Sequence, residues 1–247
     1  MTQMLDMEKV ITSVQGLGFE RIEHLPGSTF RDNSTVIIIP TRGMIHHKVV
    51  VAWQGMIAPM NQKRAILFAS GHEVGQAYDE MVQFVMNHKD LGKYKYVLSL
   101  EDDNLPQPDA HIKLLETIDW GGYDAVSGIY FTKGPVNMPM AYGDPDEYRK
   151  TGILGFQPRN IAQALQAGNV MEVNGIACGC ALWRMDMFQN MKPPWFETIC
   201  EWTPEKGPAV GTQDLIFCGK AKKVGKRFAV DLRVRVGHLD IETGTIY

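Results

Sequence analysis

The chain has 247 residues, of which 45% are hydrophobic and 21% are charged. These proportions indicate a folded protein with a substantial core and exclude a chain that is disordered over most of its length. The net charge of −3 and the isoelectric point near 6.2 exclude an overall electrostatic attraction to nucleic acid or to an anionic membrane.

The cysteines and the apolar runs indicate a protein of the cytoplasm. The four cysteines, Cys178, Cys180, Cys200 and Cys218, form no CxxC pair, which favours free thiols in a reducing compartment. The chain has no basic start followed by an apolar segment, and no apolar run approaches the roughly 20 residues of a membrane-spanning helix. We therefore expect a soluble, cytoplasmic protein without a membrane span.

The first 30 residues are set apart by their pattern. Apolar residues recur at helical spacing over residues 4–15, and Gly16 and Gly18 end the pattern. We expect residues 1–30 to form an N-terminal helical appendage to a single domain over residues 31–247.

The next hundred residues alternate between strand and helix patterns. Residues 34–40 are β-branched and continuously apolar, which predicts a strand buried on both faces. Further strands are predicted over 64–69 and 94–100, and helices over 44–58 and 73–87 connect them. This alternation predicts an α/β fold with a Rossmann-like open mixed sheet flanked by helices.

The second half of the chain returns to the same sheet after a long interruption. Residues 123–131 predict a strand, and residues 132–172 are punctuated by Gly and Pro, as in an irregular insertion that forms a lid or an acceptor site. The later predicted elements are strands over 170–175 and 180–184, a helix over 212–224, and strands over 227–232 and 234–236.

Three acids, Glu101, Asp102 and Asp103, directly follow the predicted strand over 94–100. In open α/β sheets, ligands collect at the carboxyl ends of the strands. Adjacent carboxylates repel one another unless a cation compensates them, and Mg²⁺ or Mn²⁺ typically binds one or two carboxylates together with water and substrate phosphates. The acids therefore predict a metal-assisted diphosphate site, although acids are also common in solvated turns.

The segment that contains these acids, VLSLEDDNLPQPDAHI, resembles the acidic DxD segment of family-2-like glycosyltransferases with the GT-A fold. Residues 175–184 resemble the small-residue segment beside the acceptor pocket of that family, and Pro-Trp-Phe at 194–196 is a frequent companion. Residues 211–225 resemble the family's ED helix, which precedes a strand and a Gly-His pair at 237–238. The resemblance covers roughly residues 34–240.

The resemblance implies a GT-A fold with a nucleotide-sugar half over about 31–130 and an acceptor half over about 131–247. It implies that Asp103 and His238 bind Mn²⁺ or Mg²⁺, and that Glu101 and Asp102 contact the ribose or metal-bound water. The loop after the first strand would meet the donor nucleotide through Pro40, Thr41 and Arg42.

On the acceptor side, the resemblance implies that Asp214 is the general base in an inverting reaction. An Asp in the first turn of a helix is also favourable without any chemistry. The residues implied to lie beside the acceptor are Trp195, Gly179 and Cys180.

Two positions depart from the family pattern. Tyr78 stands where many relatives carry the arginine of an Ala-Arg-Asn sequence, and Glu101 stands where a strict DxD sequence begins with Asp. The donor-base contacts and the detailed metal geometry of the family therefore do not transfer to this chain.

The sequence thus predicts a metal-dependent glycosyltransferase that moves a sugar from a nucleoside-diphosphate sugar, with a UDP-sugar favoured, to an acceptor hydroxyl. Two other classes remain open: a nucleotidyltransferase acting on sugar phosphates, although residues 41–44 contain a single glycine, and a non-catalytic nucleotide-sugar binding protein. A basic stretch is either a solvated face or a site for an acidic acceptor, such as DNA with a hydroxylated base. Its members are Lys220, Lys222, Lys223, Lys226, Arg227, Arg233 and Arg235.

Overall fold

The computed structural model describes residues 31–160, 162, 168–204 and 207–247. Residues 32–247 form one compact unit. The helix predicted over residues 4–15, and with it the appendage over 1–30, lies outside the described residues. No helix within the described ranges is long and apolar enough to cross a membrane.

The structure is α/β, as the sequence predicts. The helices are α1 (His47–Gln54), α2 (Val74–Asn87), α3 (Ala110–Gly121), α4 (Pro145–Thr151), α5 (Met185–Asn190) and α6 (Gln213–Lys223). The strands are β1 (Thr35–Thr41), β2 (Arg64–Ser70), β3 (Tyr96–Leu100), β4 (Asn104–Pro106), β5 (Ala125–Ile129), β6 (Ala141–Tyr142), β7 (Val170–Val173), β8 (Gly175–Ile176), β9 (Cys180–Arg184), β10 (Ile199–Thr203), β11 (Gly207–Gly211) and β12 (Phe228–His238).

Within the described ranges, eight strands form a mixed central sheet in the order β2-β1-β3-β9-β5-β12-β4, with β7 also paired to β12. β1 pairs in parallel with β2 and β3, and β5 pairs in parallel with β12. β9 runs antiparallel between β3 and β5. β1, β2, β3, β5 and β12 therefore all end at the same edge of the sheet.

The central strands are buried on both faces, which explains their continuous apolar runs. Val36 and Ile38 of β1 belong to a core cluster that includes the buried face of α2. Ile37 and Ile39 point to the other face and belong to a second cluster that includes Leu114 of α3. Because both sides of the sheet are covered, polar groups on these strands reach solvent only at the strand ends.

The last part of the sheet differs from the prediction of two strands over 227–232 and 234–236. The structure has one strand, β12, whose register with β5 shifts between Asp231 and Arg235. The fully buried carboxylate of Asp231 accepts hydrogen bonds from the Thr117 hydroxyl at 2.6 Å and from the Arg233 guanidinium at 2.8 Å and 3.0 Å. Such a bulge bends a strand without ending it, so β12 continues to His238.

Two irregular regions contain more structure than the sequence predicts. Asn104–Pro106 pairs with β12 as the edge strand β4, where a proline that cannot donate a hydrogen bond is tolerated. The insertion over 132–172 contains β6, which pairs with β8, and α4. α4 begins with Asp144 as its cap, which accepts a hydrogen bond from the amide of Asp146 at 2.8 Å.

Candidate active site

The residues expected to bind the donor and the metal lie at the shared carboxyl edge of the sheet. Arg42 follows β1, the three acids follow β3, and His238 ends β12. A further charged residue, Lys133, comes shortly after β5 on the same edge. We call Arg42, Glu101, Asp102, Asp103, Lys133 and His238 the strand-end cluster.

Asp102 fixes the loop after β1. Its Oδ2 accepts hydrogen bonds from the Thr41 hydroxyl at 3.1 Å and from the Arg42 amide at 3.0 Å, and its Oδ1 accepts one from the Arg42 guanidinium at 3.0 Å. The ion pair holds the pKa of Arg42 above its usual value. Pro40 is buried at the end of β1. Because both Asp102 oxygens have partners, Asp102 positions the loop, and Arg42 is the group there with free donors, since its side chain is 68% exposed.

Asp103 faces two nitrogen-bearing side chains through one oxygen. Its Oδ2 lies 2.5 Å from Nζ of Lys133 and 3.7 Å from Nε2 of His238. Burial acts to raise the pKa of Asp103, but the contacts with His238 and Lys133 outweigh it and hold the pKa below its usual value. Asp103 is therefore ionised at neutral pH. The structure brings Asp103 and His238 together, and their role as metal ligands stays a prediction.

The ring of His238 is fixed by the chain that follows β5. Its Nδ1 lies 2.7 Å from the carbonyl oxygen of Phe131, and its ring packs edge-on against Tyr130 with a centroid distance of 5.5 Å. A carbonyl oxygen only accepts, so Nδ1 carries the proton of this hydrogen bond. Nε2 is then the ring nitrogen that faces Asp103, 3.7 Å from its Oδ2.

Glu101 is neutral at pH 7. Its carboxyl group is enclosed, although the residue as a whole keeps some exposed surface. Burial first, and then the charges of Asp103 and Asp214, raise its pKa to about 8. The hydroxyl of Tyr78 lies 3.3 Å from Oε1 of Glu101. The protonated carboxyl group has a hydrogen to donate, which an ionised one lacks.

Each of the three acids is thus compensated by the protein itself. Asp102 pairs with Arg42, Asp103 pairs with Lys133, and Glu101 is protonated. Among the described residues, no group of three or more His, Cys, Asp or Glu side chains is arranged to hold a metal ion. The described side chains therefore do not form a divalent-metal site by themselves, because Asp103 and His238 offer at most two ligands and Lys133 occupies the same carboxylate oxygen.

Asp214 lies in the first turn of α6 and is buried. Its Oδ1 accepts hydrogen bonds from the hydroxyl of Thr212 and from the amide of Leu215, the latter at 2.8 Å. Burial raises its pKa and outweighs the lowering effect of these bonds. Since both bonds reach Oδ1, Oδ2 is the oxygen suited to accept a proton. The charge of Asp214 contributes to the raised pKa of Glu101.

Gly179 is hydrogen-bonded to the backbone of the first acid, Glu101. Its amide donates to the Tyr130 hydroxyl at 2.8 Å, and its carbonyl accepts from the Glu101 amide at 3.2 Å. A Cβ at Gly179 would lie 2.5 Å from the Asn104 side chain and 2.5 Å from the Tyr130 hydroxyl, so only glycine fits. Its neighbour Cys180 is fully buried, and burial raises the pKa of its thiol to about 12. The thiol of Cys180 is therefore not exposed to a ligand, and the place beside the acceptor that the resemblance implies for both residues stays a prediction.

Trp195 offers no exposed ring to an acceptor, which differs from the role that the resemblance implies. It is 5% exposed, and its indole nitrogen donates to the carbonyl oxygens of Phe188 at 3.2 Å and Met191 at 3.0 Å. Its amide donates to Asp79 at 2.6 Å. A sugar cannot stack on a ring whose faces and polar atom are used by the core, so Trp195 is a packing residue.

Sequence reasoning did not single out Lys133. The signal was available, because the residue follows the predicted strand over 123–131 and the carboxyl-end rule applies to it as to the acids. The residue lay instead within the segment assigned as an irregular insertion.

A cavity of about 500 Å³ lies largely within the insertion. Tyr142, which precedes the cavity wall, has a pKa raised by burial first and then by the charge of Asp214. Its lining residues are Gly143, Asp144, Glu147, Thr151, Ile153, Gly155, Gln157, Pro158, Arg159, Asn160 and Asn174.

Comparison with known proteins supports the fold alone. No protein-family model matches the chain, and no curated protein matches it. Among solved structures, the chain is similar to the crystal structure of A197 from STIV, with a TM-score of 0.56 and 16% sequence identity over 86% of this chain and 92% of that chain. At this identity, the similarity is one of fold and not of activity.

Proposed function

We propose that this protein is a glycosyltransferase that moves a sugar from a nucleoside-diphosphate sugar to an acceptor hydroxyl. The observation that carries the proposal is the strand-end cluster, in which Asp102 contacts Arg42 at 3.0 Å and Asp103 contacts Lys133 at 2.5 Å at the carboxyl edge of the sheet. Such a charged edge is suited to a diphosphate, and the buried carboxylate of Asp214, whose pKa burial raises, is suited to proton transfer.

The donor would lie along the carboxyl edge of the sheet. Arg42 offers an exposed guanidinium to a phosphate group. Neutral Glu101 has a proton to donate to a ribose hydroxyl, which an ionised carboxylate could not do. The preference for a UDP-sugar follows from the resemblance and stays a prediction, whereas the expected Mn²⁺ or Mg²⁺ would have to share Oδ2 of Asp103 with Lys133.

The chemical step assigned to Asp214 is proton removal from the acceptor hydroxyl. In the inverting case, Oδ2 of Asp214 takes the proton while the acceptor oxygen bonds to the anomeric carbon of the sugar. The bond between that carbon and the diphosphate oxygen breaks, and the diphosphate leaves with the electron pair. A carboxylate with a raised pKa is a stronger base than an exposed aspartate, which favours this step.

A neutral, hydroxyl-rich acceptor fits the surface better than DNA does. Within the basic stretch, Lys226 pairs with Asp124 at 2.9 Å and Arg227 with Glu172 at 3.1 Å. Lys220 and Arg233 likewise pair with acids. A phosphate backbone would have to compete with these partners, whereas the cavity over residues 143–174 offers mixed donors and acceptors that suit sugar hydroxyls.

The proposal is tested by incubating the protein with UDP-glucose, UDP-galactose, UDP-N-acetylglucosamine and GDP-mannose, with simple sugars as acceptors, and measuring release of the nucleoside diphosphate. We expect release from at least one donor by the wild-type protein and a loss of about a hundredfold in Asp214→Asn. Release that is unaffected by Asp214→Asn would remove the base assignment. A protein that neither binds nor turns over any nucleotide sugar is not a glycosyltransferase.

A further inference from the structure

Lys133 occupies the position at which a cation is expected in the strand-end cluster. Its ammonium group lies 2.5 Å from Oδ2 of Asp103, the same oxygen that faces Nε2 of His238. The side chains of Asp103 and His238 are only 14% and 13% exposed, and that of Lys133 is 31% exposed. This pair is therefore more shielded from water than a typical surface ion pair, which contributes little.

The loop that carries Lys133 is held closed by its own hydrogen bonds. The Met140 amide donates to the Tyr130 carbonyl at 2.9 Å, and the Thr132 amide donates to the Met138 carbonyl at 2.9 Å. The Thr132 hydroxyl also donates to the Val136 carbonyl at 2.9 Å. These bonds order the backbone around Lys133, whose ammonium group contacts Asp103.

The same loop fixes His238. The carbonyl of Phe131, two residues before Lys133, accepts the hydrogen bond from Nδ1 of His238 at 2.7 Å. The loop therefore sets the positions of two of the groups that face Asp103, and the lysine is built into the site.

A lysine ammonium can do what a bridging metal ion does for a diphosphate. It has three N–H donors, so one bond to Asp103 leaves two for phosphate oxygens. A divalent ion would have to displace Lys133 from Asp103, and among the described residues no third His, Cys, Asp or Glu side chain joins Asp103 and His238 in an arrangement that could hold it. The protein's own side chains thus favour the lysine over a metal at this position.

We propose that Lys133 takes the part of the divalent cation in this site, with its ammonium bridging Asp103 and the diphosphate of the bound donor. This inference rests on the proposed function, since it names the group that binds the diphosphate of that donor. Arg42, which pairs with Asp102, then provides a second positive charge, and the diphosphate binds without a divalent metal ion.

The test is calorimetric titration with UDP, GDP, ADP, CDP and TDP, each in EDTA and in Mn²⁺. Lys133→Gln removes the charge, and Lys133→Arg keeps it. Lys93→Ala is a matched control, because Lys93 is an exposed lysine before β3, at the end of that strand away from the acids. Thermal melting of each variant reports whether it is folded, and the corresponding nucleoside monophosphate separates contacts with the second phosphate from all others.

We expect one nucleoside diphosphate to bind in EDTA with an affinity close to that in Mn²⁺. Lys133→Gln should weaken this binding about tenfold or more, as expected for the loss of a charge-assisted contact. Lys133→Arg should retain most of it, Lys93→Ala should bind like the wild type, and the monophosphate should bind the wild type and Lys133→Gln equally.

Binding that requires Mn²⁺ and is equal or tighter in Lys133→Gln would overturn the inference and leave the proposed function standing, because the lysine would then be a competitor of the metal. Absence of binding by any nucleotide in either buffer would overturn the proposed function, and the inference with it.

Discussion

The hydroxyl of Tyr78 lies 3.3 Å from the carboxyl group of Glu101, and both residues differ from the pattern of the glycosyltransferases that the sequence resembles. Many of those proteins have an arginine at the position of Tyr78 and an Asp at the position of Glu101. The two differences therefore meet in one hydrogen bond. A protonated Glu needs no positive partner, and a neutral tyrosine satisfies it by a hydrogen bond without bringing a second charge into a buried position.

Tyr78→Phe tests this contact. Removing the hydroxyl leaves Glu101 without the partner at 3.3 Å, and we expect donor affinity to fall about three- to tenfold and stability to fall by about 1 kcal/mol. Calorimetry with a nucleoside diphosphate and chemical denaturation measure the two effects. Tyr142→Phe, at another tyrosine whose pKa is raised by burial first, serves as a control and should leave donor affinity unchanged. Equal affinity in wild type and Tyr78→Phe would show that the contact has no part in donor binding.

The raised pKa of Glu101 predicts a pH dependence of stability. The folded-state pKa of about 8 lies above the ordinary value of 4.5, so the folded protein holds a proton that the unfolded chain has lost between these values. The stabilising contribution of Glu101 is fully present below pH 4.5 and is lost as pH rises through about 8. Glu101→Gln, which stays neutral, should lose less stability than the wild type between those pH values. Parallel denaturation curves for the two proteins at both ends of this range would contradict the assignment.

The lowered pKa of His111 predicts that stability falls as pH is lowered, the opposite of the effect of Glu101. Burial first, and then the charge of Arg64, lower its pKa from 6.5 to about 4, and its Nε2 lies 3.2 Å from the Thr35 hydroxyl. Between these pH values the unfolded chain binds a proton at His111 and the folded protein does not. The free energy of unfolding therefore falls as pH falls from 6.5 towards 4, by up to about 3 kcal/mol. His111→Gln keeps a neutral polar group there and should remove most of this loss in urea titrations at the two pH values. A wild-type loss that persists in His111→Gln would place its source elsewhere.

Asp214→Asn separates catalysis from binding. The amide keeps an oxygen that can accept from the Leu215 amide, a bond of 2.8 Å in the wild type, so α6 should keep its first turn. It cannot take the acceptor proton, and we expect kcat to fall about a hundredfold or more while donor affinity stays within about twofold. Steady-state kinetics and calorimetry on the same preparation measure both. Equal losses in affinity and kcat would indicate that Asp214 binds the donor.

Much of the fold was predictable from local patterns. Continuous apolar runs such as residues 34–40 identify strands buried on both faces, and the helices between them show clear helical spacing. The bulge in β12 was not predictable, because it depends on the bonds of Asp231 with Thr117 and Arg233, and Thr117 comes from a distant part of the chain.

The site was predictable in part, for a similar reason. The carboxyl-end rule placed the acids at the edge where the structure has them, since it needs only the order of the strands, whereas Arg42 and His238 were assigned to the site through the resemblance. The groups that compensate the negative charge of the acids are neighbours in space and not in sequence. Lys133, which pairs with Asp103, was not identified because its segment has no clear pattern of strand or helix. Trp195 was placed beside the acceptor because a Pro-Trp-Phe sequence does not reveal burial.

The most direct test of the account is a crystal structure of the protein soaked with the nucleoside diphosphate that binds most tightly in calorimetry. The account predicts the diphosphate at the carboxyl edge of the sheet, with its oxygens between Arg42 and Lys133 and with Asp214 facing the vacant sugar position. A nucleotide bound away from this edge, for example in the cavity beside Asn174, would contradict the assignment of the strand-end cluster as the donor site.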